Sequence, residues 1–301
     1  SWRGAANRLS ANHVEWPIID EVAEATRYPG EQRCEGATVP SVMVQAIAPP
    51  LERSVAPSHD RTLAPPGAPI GPRGAREIVL SRRSAVAFDG RSALPRDVLL
   101  SMLRRLRPPG PPWDALNWPP QVHLVLFVHR VEGLRPGVYA YLRDDDVLAD
   151  WRVEMRTEFL WEAVVQNDPN DPNDLFLLVP VDAGPTAMRL SCDQAIASEG
   201  FFSLAMVARL EASLHERGEW FYRRLFWECG LIGQVLYLEA EAAGGRGTGI
   251  GCFYDDPVHA LLGLTGQRWQ SLYHFSMGAP VDDTRLGTEP GYEWEATVPA
   301  R

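Results

Sequence analysis

The run Gly244-Gly245-Arg246-Gly247-Thr248-Gly249-Ile250-Gly251-Cys252-Phe253-Tyr254-Asp255-Asp256-Pro257 follows directly on a long apolar helical pattern. Five of the eight residues from Gly244 to Gly251 are glycine. Glycine at this density weakens both helix and strand, so a compact domain keeps it where backbone turns sharply or lies close to a ligand. The spacing is not GxGxxG, the run follows a helix rather than a strand, and it opens no long helix, so it is no dinucleotide fingerprint. It also lacks the lysine of a P-loop. What remains is a backbone with little steric cover, able to lay N–H groups against a flat ring system. The competing reading is a helix C-cap followed by a flexible turn.

A second run, Ser81-Arg82-Arg83-Ser84-Ala85-Val86-Ala87-Phe88, offers cations and a hydroxyl of the kind that hold phosphate oxygens. Taken alone, such an arginine pair is a solvated surface feature. Near the other end, Ser276-Met277-Gly278-Ala279-Pro280 is followed by Asp282, Asp283 and Arg285. Arg285 is therefore either a further phosphate ligand or the partner of an aspartate. The glycine run and the arginine-serine run together point to a phosphate-bearing planar cofactor, for which a flavin is the best candidate.

The rest of the sequence narrows the field. At 301 residues and 45% hydrophobic, the chain can bury a full core. A formal charge of −10 argues against a nucleic-acid binder. The longest apolar runs, such as Leu175 to Val181, are too short to span a bilayer. The start shows no signal peptide, and the four scattered cysteines give a reducing cytoplasm as the default reading. Cys34, Cys192, Cys229 and Cys252 lie far apart without CxxC spacing, which gives neither a zinc knot nor a disulfide framework. All 29 basic residues are arginine, so no Schiff-base lysine and no lysine general base exists here.

Along the chain, residues 1–75 read as an N-terminal arm, with a helical stretch at Trp16–Thr26 and a linker over 48–72 carrying seven prolines. Residues 76–287 read as the compact domain and 288–301 as a tail. Helices are expected at Pro95–Leu106, Phe159–Val165, Ala195–His215, Trp220–Ala243 and Pro257–Leu262. Strands are expected at Val122–Val131, Gly137–Leu142, Leu175–Val181 and Trp269–Met277. This mixture, without strict βαβ alternation, is α+β. Gly230 and Gly233 inside the Trp220–Ala243 helix cost about 1 kcal/mol each against alanine, which suggests close packing there. Arg224 and Glu228 are i,i+4 neighbours, and Glu228 and Glu239 read as solvated acids. Cys252 reads as a small packing residue that a redox cofactor could also approach. His123 and His129 read as structural, and no histidines have metal-ligand spacing.

Several of these segments resemble the nitroreductase superfamily. They are Arg82-Arg83-Ser84 with Phe88, Gly137-Val138-Tyr139, and Gly230-Leu231-Ile232-Gly233-Gln234 with Leu236-Tyr237-Leu238-Glu239-Ala240-Glu241. Gly249-Ile250-Gly251-Cys252-Phe253-Tyr254-Asp255-Asp256 with Leu261-Leu262-Gly263-Leu264 resembles its SagB/ThcOx branch, which oxidises azolines to azoles in peptide natural products. The resemblance covers about residues 76–287. It implies an α+β fold around a central antiparallel sheet flanked by helices, dimeric, with FMN bound between two units. By this resemblance Arg82 and Ser84, with Arg83 beside them, contact the FMN phosphate and ribityl chain. Asn117 contacts the flavin pyrimidine edge. Gly251 and Cys252 bring backbone N–H groups near flavin N5, Gly249 counts with them among the cofactor-binding residues, and Arg285 lies near the phosphate.

The implied activity is FMN-dependent hydride transfer to or from a small organic or peptide-derived substrate. Two departures keep alternatives open. Val86 stands where the family often has a basic residue, which suits a degenerate, flavin-free unit acting as a structural or peptide-binding partner. Azoline oxidation uses a lysine-tyrosine pair in the family, and this chain has no lysine. Larger members carry two units in one chain, and the arm ahead of residue 76 suits the second unit of such a tandem. The partners expected are a homodimer or tandem unit and the substrate, with no nucleic acid, membrane or metal.

Overall fold

The computed structural model describes residues 14–29, 73–164, 174–283, 285 and 287. The proline-rich 48–72 stretch, Cys34 and the 288–301 tail lie outside them. In chain order the helices are α1 (Pro17–Ala25), α2 (Ala75–Ser81), α3 (Arg96–Arg104), α4 (Val147–Glu154), α5 (Gly184–Leu190), α6 (Ile196–Glu199), α7 (Leu210–Arg217), α8 (Tyr222–Ala242) and α9 (Asp255–Leu262). The strands are β1 (Leu94–Pro95), β2 (Val122–Val128), β3 (Val131–Glu132), β4 (Gly137–Tyr141), β5 (Glu162–Ala163), β6 (Leu175–Pro180), β7 (Phe202–Arg209), β8 (Arg246–Ile250) and β9 (Trp269–Gly278).

Seven strands form one sheet in the order β5-β6-β4-β2-β7-β9-β8, and every neighbouring pair is antiparallel. Because side chains alternate along a strand, each central strand feeds two cores. From β2, Leu124, Leu126 and Val128 enter one core, with α3 and α8; Val125 and Phe127 enter the other, with α4, α5 and α9. Both faces are covered, so β2 is buried at every position and reads as an unbroken apolar run. The α+β expectation, with a central antiparallel sheet flanked by helices, is met.

α8 is the longest helix among the described residues, at 21 residues, or about 32 Å at 1.5 Å per residue. Its buried Leu225, Cys229, Ile232, Leu236 and Ala240 follow the helical period and lie against the sheet. Burying each of the larger apolar side chains contributes roughly 1.5–3 kcal/mol. Gly233 is buried with Phe275 as its nearest neighbour, whereas Gly230 is exposed with open space around it.

Three expectations are corrected. The Ala195–His215 stretch is a short helix, a central strand and a second helix: α6, β7 and α7. Phe202-Ser203-Leu204-Ala205-Met206-Val207-Ala208 is buried on both faces, and an apolar run of that kind cannot be told from a helix by period. The Phe159–Val164 part of the expected helix instead contains the short strand β5; residue 165 lies outside the described residues. Residues Arg246–Ile250 of the glycine run form the terminal strand β8 rather than a flexible turn.

Candidate functional site

β8 is a strand because its glycines fit aromatic rings. Gly247 and Gly249 lie two residues apart on one face, in register with Met277 and Phe275 of β9, and the diagonal rings Phe275 and Tyr273 fill the space beside them. A Cβ at Gly247 would lie 2.3 Å from Phe275 Cζ, and one at Gly249 would lie 2.7 Å from Tyr273 Oη. Neither gap admits a methyl group. The close approach that glycine permits here is therefore to the protein's own rings. Gly251 differs, since its Cβ would meet only Tyr273 Cε2, at 3.8 Å.

Tyr237 of α8 ties this strand to the arginine-serine run. Gly249 N donates to Tyr237 Oη at 2.8 Å, and Tyr237 Oη lies 3.0 Å from Ser84 Oγ. The Arg82 guanidinium sits over the Tyr237 ring, 4.7 Å from its centroid, and the ring packs edge-to-face on Phe275 at 5.0 Å. With the Gly249 N–H already donating to its oxygen, Tyr237 is free to donate to Ser84. Where Tyr237 donates, the exposed Ser84 hydroxyl keeps its own proton free to donate elsewhere. Among the described residues no carboxylate pairs with Arg82.

The run is held in place at both ends. Upstream, Glu241 near the end of α8 accepts from Arg73 Nη1 at 3.0 Å and from Ser81 Oγ at 2.8 Å, which docks α2. Downstream, Ala85 N donates to Gly247 O at 3.0 Å, Thr248 Oγ1 to Ala85 O at 2.6 Å, and Val281 N to Ala87 O at 3.0 Å. Residues 82–88 therefore run alongside β8 and the end of β9.

The other expected site residues are placed differently. Arg83 turns back on its own chain, its Nη1 donating to Leu80 O at 3.0 Å and Arg82 O at 2.8 Å. Arg285 is paired with Asp283, its Nη2 2.7 Å from Oδ2, and hydrogen bonding from Arg285 holds the Asp283 carboxyl below its ordinary range. For this residue the aspartate-partner reading is the one observed. Asn117 is exposed in the proline-tryptophan loop. That loop reaches α8 through Trp118, whose Nε1 donates to Glu228 at 3.1 Å. Glu228 is nine residues, about 13 Å of helix, from Tyr237. Gly251 and Cys252 are exposed just beyond β8, and no turn, loop or cap hydrogen bond among the described residues uses their N–H groups. The structure thus gathers Arg82, Ser84 and Gly249 around Tyr237, with Gly251 and Cys252 next along the chain.

Glu228 is not a solvated acid. It is 0% exposed and accepts from Gln121 N at 3.0 Å, Val122 N at 3.1 Å, Trp118 Nε1 and the buried Arg143 guanidinium. Its helical neighbour Arg224 instead stacks on Trp227, 3.7 Å from the ring centroid. This knot fixes the start of β2 to α8 and is structural. Burial pushes His274, on β9, down to about 4, and the neutral ring lies between the hydroxyls of Ser191 and Ser271 at 3.3 and 3.4 Å. His123 is fully buried, and burial followed by the nearby Arg143 charge puts its pKa well below the ordinary value.

The profile of the Nitroreductase family matches residues 79–279, which takes in the sheet from β2 to β9 and the whole Tyr237 cluster. The chain belongs to the nitroreductase family. Among solved structures, a nitroreductase-type protein of Anabaena variabilis ATCC 29413 superimposes with a TM-score of 0.53 at 21% identity. The match covers 69% of this chain and 38% of that one, so this chain spans well under half of that relative. A chain of the E. coli microcin synthetase McbBCD complex, with truncated pro-MccB17 bound, superimposes with a TM-score of 0.50 at 16% identity. That match covers 88% of this chain and 93% of that one. At these identities both show the nitroreductase fold alone. No curated protein matches the chain. Tyr237, the hub of the cluster in this nitroreductase-family chain, carried no assigned role in the sequence reading. Its signal was a polar-tipped aromatic one turn after Gly233 on an otherwise apolar stripe.

Proposed function

We propose that this chain is an FMN-dependent oxidoreductase of the SagB-type dehydrogenase branch, acting on a small organic or peptide-derived substrate in the cytoplasm. The observation that carries the reading is the Tyr237 cluster. It collects Arg82, which pairs with no carboxylate among the described residues, the exposed Ser84 hydroxyl and the exposed strand end at Gly251 and Cys252. These are the groups a flavin mononucleotide needs at its phosphate and ring ends, and Arg82, Ser84, Gly251 and Cys252 fit it. Bound FMN would supply hydride acceptance and return at its N5. The chain's own part is to hold and orient. Arg82 and Ser84 would bind the phosphate through charge-assisted hydrogen bonds, while Tyr237 fixes the Ser84 hydroxyl and β8 sets the position of the Gly251 and Cys252 amides. A peptide-derived substrate is supported by the pro-peptide held in the McbBCD complex. Azoline oxidation by a lysine-tyrosine pair is not supported, because the chain has no lysine.

A second copy of the chain completes this reading. Phe226 and Trp227 on α8 are exposed, as are Trp16, Ile18 and Ile19 around α1. With Gly230 open beside them, they offer an apolar face for a two-fold homodimer burying on the order of 2,000 Å² in total. Because Gly233 faces its own sheet, Gly230→Arg is the substitution that tests the dimer.

A flavin-free unit is the second reading, favoured by Arg83 and Arg285 being satisfied internally and by the exposed Val86. Fluorescence titration with FMN and mass spectrometry of heat-released ligand separate the two. Saturable quenching, or FMN in the released fraction, supports the enzyme. No binding at tens of micromolar FMN, by monomer and dimer alike, leaves the scaffold.

A further inference from the structure

We propose that Cys192 and Cys252 form a reversible dithiol–disulfide pair, a covalent site that reacts with low-molecular-weight disulfides. The inference rests on no part of the flavin reading. The two residues are 60 positions apart in sequence, which hid them from any spacing rule, and the fold brings the segment carrying Cys252 onto the turn that carries Cys192. After α5 ends at Leu190, Cys192 and Asp193 adopt φ of 53° and 56°. Residues other than glycine rarely enter that left-handed region, and two in a row persist only where the surroundings impose them.

The surroundings are specific. Tyr254 N donates to Leu190 O at 2.9 Å, and Gln194 Nε2 donates to Cys252 O at 3.1 Å. Phe253 stacks on the buried His274, ring centroids 4.4 Å apart. These contacts hold residues 252–254 against the turn between α5 and α6. There Cys192 neighbours Cys252 and Tyr254, and the nearness of Cys252 is the first cause that pushes the Cys192 thiol up. Both cysteines are free, Cys252 is exposed and Cys192 is half-buried. Cys229 is unlike them: it lies in the core, where burial pushes its thiol up and keeps it inert. Among the described residues no group of three or more histidine, cysteine, aspartate or glutamate side chains could hold a metal ion. Thiol pairing, not metal ligation, is therefore the chemistry this pair can perform.

The exchange balances in two steps. The Cys252 thiolate, the more accessible, attacks one sulfur of a disulfide RSSR, forms a mixed disulfide and expels RS⁻. The Cys192 thiolate then attacks the Cys252 sulfur of that mixed disulfide, closes the Cys192–Cys252 bond and releases the second RS⁻. The protein gives up two electrons and two protons, and RSSR becomes two RSH. The raised Cys192 thiol suits the second, intramolecular step better than the first. The closed bond would clamp residues 251–254 to the α5–α6 turn.

The test treats the full chain with oxidised glutathione. The products are read by intact mass, by thiol count in denaturant and by peptide mapping without reductant. The expected result is a mass loss of two hydrogens, two fewer free thiols, a linked pair of peptides carrying Cys192 and Cys252, and full reversal by dithiothreitol. The Cys34→Ser variant should give the same link, and Cys192→Ser should stop at a glutathione adduct on Cys252. Stable adducts on both cysteines without a link, a link that runs through Cys34, links only between chains, or no reaction would each overturn the proposal.

Discussion

Glu228 and Arg143 form an ion pair with both side chains out of solvent, 0% and 1% exposed, at the point where β2 meets α8. The carboxylate also accepts two backbone N–H groups and the Trp118 indole, and Arg143 lies over the Trp113 ring at 4.3 Å. Removing one partner strands a buried charge, which costs about 3–5 kcal/mol, whereas replacing both with apolar residues is often far milder. Glu228→Ala and Arg143→Ala should each lower stability by that amount in urea unfolding. Glu228→Leu with Arg143→Met should cost clearly less than the two single losses summed. Additive losses would show that the pair is not coupled.

A methyl group at Gly247 has no room beside Phe275. Gly247→Ala should therefore destabilise the protein by about 1–3 kcal/mol through overpacking. The loss should shrink when Phe275→Leu is made as well. A double-mutant cycle measures this, and a coupling near zero would mean the ring moves aside at no cost.

Arg82 and Arg83 are adjacent but differently committed. If Arg82 holds a phosphate, Arg82→Ala removes a charge-assisted bond of roughly 1.5–3 kcal/mol and weakens FMN binding by about one to two decades. Arg83→Ala should leave affinity nearly unchanged, because that side chain serves the carbonyls of Leu80 and Arg82. Tyr237→Phe should fall between them, since it frees Ser84 without removing it. Equal losses at Arg82 and Arg83, measured by fluorescence titration, would contradict this division.

His129 and His274 are held neutral, each lowered by burial to about 4. An unfolded histidine near 6.5 takes a proton that the native ring refuses. Their contribution is therefore complete above about pH 6.5 and is lost as pH falls towards 4. The slope is up to about 1.4 kcal/mol per pH unit for each histidine, and His123 acts in the same direction. Urea midpoints from pH 7 down to 4.5 should fall accordingly, and His274→Gln should reduce the slope by about one proton. A flat profile across that range would show that these rings protonate in the native state.

What the sequence disclosed was what local period can carry. β2, β4, β6 and β9 were legible because they are short apolar runs between turn signals, and α8 because its buried positions recur every three or four residues. β7 escaped because a strand buried on both faces has no alternation to see. β8 escaped because glycine was read as freedom, when Gly247 and Gly249 at a period of two were a strand signature facing Tyr273 and Phe275. Glu228 was misjudged because its nearest cation in sequence, Arg224, is not its partner, while Arg143 is 85 residues away. Arg82 and Ser84 stood out in the sequence, but Tyr237, which both of them contact, did not, since its value comes from contacts with three distant segments.

The backbone bonds from Ala85 N to Gly247 O and from Val281 N to Ala87 O carry a consequence for solubility. β8 ends the sheet, and a glycine-rich terminal strand has few side chains with which to deter another chain from pairing. Ala85 covers that edge at Gly247 and Thr248, and it is continuous with Arg82 and Ser84. A change that loosens the segment would therefore bare an unpaired strand while it moves Arg82 and Ser84 away from Tyr237. Aggregation and loss of ligand binding should appear together in such variants, and neither alone.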